Sequence, residues 1–163
     1  MAEEVGRMRV NVNVSSLEQS ERGAVFGEIF VEHGALEFPE RNWSDYVVVV
    51  LGWWCAACTG LVRGDREQEL MFMDGPFLLK VQVDDGNVWT SEFQRLRAPQ
   101  AANMVEFRPL DTMPNGLRFA SNVFLDSLID CSKTVLAECD QRGWDTDVIR
   151  GLRRAATILD RSR

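Results

Sequence analysis

The sequence predicts an α+β fold: an antiparallel β-sheet meander with one central helix, and two C-terminal helices packed on it. Three observations carry that prediction. Residues 8–14 alternate apolar Met8, Val10, Val12 and Val14 with polar Arg9, Asn11 and Asn13, the period of a half-buried strand. Asp74-Gly75 and Asp85-Gly86 separate further apolar runs, and glycine there supplies the positive φ that tight hairpin turns require. After Gly116 the apolar spacing switches to the helical period in two successive segments. Strands that neighbour in sequence, with helices gathered at the end, suit α+β rather than a doubly wound arrangement.

The elements follow in order. Polar residues 15–22 separate the first strand from Ala24-Val25-Phe26-Gly27-Glu28-Ile29-Phe30-Val31, its expected partner, and Gly34 and Pro39 then break the pattern. The uncharged run 46–62 is expected to be helical, with Ser44 as N-cap, Asp45 in the first turn and Gly64 at the C-terminal cap. Val47, Val50, Leu51, Trp54, Cys58, Leu61 and Val62 recur at helical spacing, although four consecutive valines favour strand. As a helix this run spans roughly 25 Å, short of a bilayer core of about 30 Å. A buried central helix is therefore expected rather than a membrane span.

Residues 70–73, 77–83 and 88–93 make the meander, and 104–107 adds a further strand. From Gly116 one stripe of Leu117, Ala120, Phe124, Leu128, Cys131 and Val135 runs beside another of Leu125, Ile129, Leu136 and Cys139. Two stripes place that helix between two neighbours. Gly143 ends it. Asp145 or Thr146 caps a last helix whose Val148, Leu152, Ala155 and Leu159 are expected to face inward.

The 163 residues suit one domain, 1–163, large enough to bury a core without disulfides or metal. Eighteen basic residues against 25 acidic ones give a net charge of -7. Arg150, Arg153, Arg154, Arg161 and Arg163 crowd the C-terminus, so the rest of the chain is more acidic still. An acidic body repels phosphate backbones, which argues against direct nucleic-acid binding. The same field speeds association with a basic protein, although acidity also serves plain solubility. Met1-Ala2-Glu3-Glu4 has the wrong charge for a secretory signal and no apolar core, so cytoplasmic residence with reduced thiols is the expectation.

Chemistry-bearing motifs are few. Trp54-Cys55-Ala56-Ala57-Cys58 resembles the thioredoxin redox motif. Only 17 residues (59–75) separate it from Pro76, with no room for the strand and helix that family places there. Mid-helix cysteines also lack free N–H groups to stabilise a thiolate. Core packing is the plainer account of Cys55 and Cys58, and a thiol-disulfide oxidoreductase the weaker one. Cys131 and Cys139 would stand about 12 Å apart along a helix, too far to share a zinc ion. His33 is the single histidine and falls at an expected turn. No nucleophile elbow, Walker loop, dinucleotide fingerprint or zincin motif is present. The expectation is a non-enzyme with no catalytic residues, metal or cofactor.

Trp43-Ser44-Asp45-Tyr46 opening an apolar helix with Leu51-Gly52-Trp53-Trp54, then Phe72-Met73-Asp74-Gly75-Pro76, a strand pair and a long C-terminal helix, form a recognisable layout. It resembles small cytoplasmic immunity proteins of bacterial polymorphic-toxin systems, including those paired with contact-dependent and type VI effectors. The resemblance spans about residues 43–95 and is one of texture and order. It implies a protein that binds one cognate toxin domain, here one suited to be a basic nuclease, and occludes its active site or substrate path. Candidate contact residues are Trp43, Asp45, Asp74, Asp84, Asp85, Trp89 and Glu92, with Trp89 as anchor because tryptophan is enriched at binding hot spots. Trp89 is equally well read as a core residue beside Phe93. The alternative function is a secretion chaperone or adaptor, which would bind an extended segment instead of a folded domain.

Overall fold

The computed structural model describes residues 4–97, 106–110 and 112–163. Its strands fall into two antiparallel sheets. The first contains β1 (Met8–Gln19), β2 (Val25–His33), β3 (Leu36–Phe38) and the short β4 (Ser44–Asp45), with β2 pairing all three others. The second runs β5 (Glu67–Met71), β6 (Phe77–Asp85), β7 (Val88–Arg97), β8 (Glu106–Pro109), with β9 (Leu117–Ala120) also on β7. Helix α1 (Val47–Val62) lies between the sheets in sequence, and α2 (Ser121–Gln141) and α3 (Asp147–Ser162) close the chain. The α+β class, with one helix and then two C-terminal helices, is as the sequence predicts.

The alternation that signalled β1 sets its register. Val10 stands opposite Val31 and Val12 opposite Ile29, so the apolar faces of the two strands coincide. Polar Ser15–Gln19, expected as a connection, continue β1 past an irregularity after Asn13. Along β6 and β7 the pairs Leu79–Phe93 and Val83–Trp89 bring the large residues to one face. One core cluster joins Met8, Val10, Ile29 and Phe38 to Leu79, Val81, Trp89 and Phe93 through α1 residues Val47, Val50, Leu51, Trp54 and Cys58. Helix α1 packs on α3, β5, α2 and β2, which is how an uncharged helix finds cover on most of its circumference.

Several boundaries differ from expectation, each for a physical reason. Ser44 is not the N-cap of α1. Residues 44 and 45 pair with Glu28 and Gly27 of β2, Ile29 N donates to Trp43 O at 2.8 Å, and the N-cap is Tyr46 with no side-chain cap. Gly64 does close the helix: at φ +119° it lets its own N–H reach Leu61 O (3.3 Å) and Asp65 N reach Gly60 O (2.9 Å). Leu117 and Ala120 belong to β9 instead of α2, held by pairing with Ser91 and Val88. Helix α2 begins at Ser121, whose N–H donates to Asn87 O. Thr146 caps α3 by accepting from Ile149 N at 3.2 Å. In α3, Ile149, Leu152, Ala156 and Leu159 are buried while Val148 is 50 % exposed, so the inward stripe is rotated by about one residue from that expected. Of the strand expected at 104–107, Met104 and Val105 lie outside the described residues, and Glu106 and Phe107 open β8.

Candidate functional site

The seven residues singled out from sequence do not form one surface. Three of them, Trp43, Asp45 and Asp74, meet in a structural lock. The Asp45 carboxylate, 2 % exposed, accepts from Trp43 Nε1 (3.0 Å), Tyr46 N (2.7 Å) and Asp74 N (3.0 and 3.2 Å). Burial nonetheless pushes its pKa above the ordinary carboxylate value, against the lowering by those donors. The Trp43 ring stands edge-on to Phe77 at 5.3 Å. The lock ties the start of α1 to the turn between β5 and β6. Asp74 keeps an exposed side chain.

The other four are dispersed over the second sheet. Trp89 is 3 % exposed, edge-on to Phe119. It is a core residue, and neither it nor Asp45 presents a side chain to the surface. Asp84 and Asp85 are exposed at the β6–β7 turn, with Asp84 paired to Arg118 at 3.0 Å. Glu92 is half-buried and accepts from Gln94 Nε2.

The most contact-ready surface is elsewhere, between α1 and β5. Trp53, Ala56, Ala57 and Gly60 recur at i, i+3, i+4 and i+7 and form one helix face. With Asp65, Gln68, Glu69 and Met71 they line an open groove of about 500 Å³. Small residues make its floor. A Cβ on Gly60 would run into the Asp65 carboxylate and the Gln68 amide, which hydrogen-bond each other at 2.7 Å. Trp53, at 47 % exposure, and Met71, at 38 %, are its large apolar residues, and Met73 is exposed two residues further on. Trp54, one position along the helix and about 100° round it, is fully buried, donating its Nε1–H to Met71 O at 2.8 Å.

Two of the lining residues, Asp65 and Glu69, are exposed carboxylates. Glu67 and Asp74, close by in the chain, are exposed as well, and Arg66 is the one basic residue between 65 and 74. Glu67 accepts from Gln82 Nε2 and pairs with Lys80 at 3.3 Å, and the Gln82 bond holds its carboxyl below the usual value. An apolar floor with one large exposed aromatic and a charged rim is the anatomy of a protein-contact patch. Sequence reasoning passed over it because β5 was expected to begin at Leu70, which left Glu67 and Glu69 in a loop. The available signal was the tryptophan pair: consecutive helical positions point about 100° apart, so two adjacent bulky rings face different surroundings.

Other features offer less chemistry. Cys55 and Cys58 are buried in α1, and burial pushes Cys55 up to about 11 and Cys58 well above its ordinary value. Such thiols stay protonated at neutral pH, the opposite of a redox-active pair. Cys131 is likewise pushed up to about 11, and Cys139 is raised. His33 ends β2 instead of lying in a solvated turn, and its Nε2 is buried without a hydrogen-bond partner among the described residues. No cluster of three histidine, cysteine or carboxylate side chains fit for a metal ion occurs among the described residues. A 350 Å³ hollow between α2 and α3 has most of its charges paired across it, Lys133 with Asp160 and Arg153 with Asp140. Among the described residues no helix is long and apolar enough to cross a membrane. No family model, curated protein or solved structure matches the chain.

Proposed function

We propose that this protein is a cytoplasmic immunity protein that binds and neutralises a cognate bacterial toxin domain, with the α1–β5 groove at the centre of the contact. The observation that carries the binding site is Trp53, a half-exposed tryptophan over an apolar floor, with the carboxylates of Asp65 and Glu69 in the same groove and a net charge of -7 on the chain. Such a surface favours a basic partner, which opposite charge steers toward it and an aromatic anchor retains. The toxin assignment rests on the sequence resemblance, and a basic nuclease domain is the partner class that fits the charge. Inhibition follows by occlusion: a partner whose cationic substrate path lies over Asp65, Glu67 and Glu69 cannot admit a phosphate backbone there.

The test is affinity capture of the tagged protein from its native host, run in parallel with Trp53→Ala. One stoichiometric partner, retained by the wild type and weakened about 30-fold by the variant at unchanged thermal midpoint, is the expected result. A partner held equally by both proteins would move the contact off the groove. Recovery of several unfolded clients would replace the immunity reading with the chaperone alternative.

A further inference from the structure

The groove lies along the edge of β5 that no strand pairs among the described residues. Val83 N donates to Arg66 O (2.9 Å) and Phe72 N to Phe77 O (3.2 Å), so residues 66 and 72 face β6. Antiparallel alternation then points the backbone groups of Gln68 and Leu70 toward β6, and those of Glu67, Glu69 and Met71 away from it. Met71 O accepts from Trp54 Nε1. The N–H and C=O of Glu67 and Glu69 and the N–H of Met71 have no partner among the described residues, since β5 pairs β6 alone.

Two other edges, those of β1 and β9, are covered. On β1, Val10 N donates to Ser127 Oγ (2.9 Å), the Cys131 thiol donates to Val10 O (3.3 Å) and Arg142 Nη1 donates to Leu17 O (2.6 Å). Side chains of α2 and its C-cap thus cover that edge. On β9, Gly6 N donates to Arg118 O and Ala120 N to Gly6 O. The groove beside β5 is touched by Gln68 from one face of the strand and by Glu69 and Met71 from the other, which places it off the edge itself.

We propose that this edge receives an exposed, lysine- and arginine-bearing edge strand of a folded partner domain, which extends the second sheet by one strand. The inference rests on the groove reading above. Main-chain hydrogen bonds to Glu67, Glu69 and Met71 supply the pairing, and alternate side chains of the incoming strand drop between Trp53 and Met71. Glu67 and Glu69 select its charge. Carboxylates on an edge discourage pairing with a second copy of the same acidic strand, and opposite charges across a strand pair favour a basic one.

The probe is an acetylated, amidated octapeptide alternating lysine and valine, titrated into the isotopically labelled full chain and followed by amide shifts and exchange. Binding should shift and protect the amides of Glu67, Glu69 and Met71. The same peptide N-methylated throughout keeps its charges and side chains but cannot pair, and it should bind at least about tenfold more weakly. On the protein side, E69P removes an outward N–H without touching the β5–β6 ladder and should match that loss, whereas E69A should cost only a few-fold. Absence of binding, equal binding of both peptides, or protection elsewhere than residues 67–71 overturns strand addition. A captured partner that depends on Trp53 but binds E69P and E69A alike would retain the groove and remove the added strand, so the two readings fail separately.

Discussion

A single buried carboxylate shows what residue-level reading recovers and misses. Asp45 was legible as a residue placed for a purpose, because an aspartate before an uncharged helix has few other roles. Its actual purpose, accepting from Trp43, Tyr46 and Asp74, depends on a turn 29 residues away that no local pattern reports. Asp45→Asn should destabilise the domain by about 1–3 kcal/mol, because an amide cannot accept from every donor the carboxylate satisfies. The pH dependence carries a definite sign. Burial raises the folded-state pKa above the ordinary carboxylate value, so the folded chain holds this proton more tightly than the unfolded one. This group's contribution to stability therefore grows as pH falls through its folded pKa and is complete below the unfolded value, the reverse of an ion-paired carboxylate. Urea unfolding from about pH 7 down to about pH 3 should show wild type gaining on Asp45→Asn as acid is added. A difference that does not change with pH would mean that the carboxyl titrates in the fold as it does in the open chain.

At the scale of elements, legibility followed periodicity. Helix α1 was visible despite its valines because Val47, Leu51, Trp54, Cys58 and Leu61 share a face, and all five are buried. The β6–β7 hairpin was visible from its Asp-Gly turn. What stayed hidden were elements defined by a partner far along the chain. Ser44–Asp45 is a strand only because β2 is there to pair it, and Leu117–Ala120 carries a helical stripe that pairing with β7 overrides. Strand β5 hid its first half because Glu67, Gln68 and Glu69 read as polar connection, although an edge strand tolerates charge. The motif on α1 that looked most chemical, Cys55 and Cys58, is explained by the helix around it. Both side chains point into the core, and Cys55 Sγ lies 3.6 Å from Ser132 Oγ of α2. A thiol reagent at neutral pH should therefore react slowly with Cys55 and Cys58 in the native chain, and all four cysteines should titrate fast once denaturant is added. A fast native reaction assigned to Cys55 would reinstate the redox alternative.

On the scale of the whole molecule, the two sheets raise the question of whether 1–163 folds as one unit. Strand pairing joins them weakly: β1–β4 and β5–β9 are separate ladders, linked among the described residues by one isolated parallel bridge of Gly6, just before β1, with Phe119 of β9. What they chiefly share is side-chain packing. Helix α1 contacts β2 of the first sheet and β5 of the second, α2 contacts β1 and β9, and the core cluster runs through both without a break. Trp54 is central to that connection, fully buried, edge-on to Phe72 at 5.0 Å, with Phe72 in turn edge-on to Phe38 of β3. Removing it should cost about 3–5 kcal/mol, as for any large buried aromatic. If the packing makes one cooperative unit, that loss is felt equally by both ladders, because neither can open without exposing the other's covered face. Native-state hydrogen exchange then supplies the test. In the wild type the slowest amides of β2, such as Val31, and of β7, such as Phe93, should exchange with the same opening free energy. Trp54→Ala should lower the two by the same amount. Retention of protection in β6 and β7 while β1 and β2 lose theirs would divide the chain at α1 into two units that happen to share a helix.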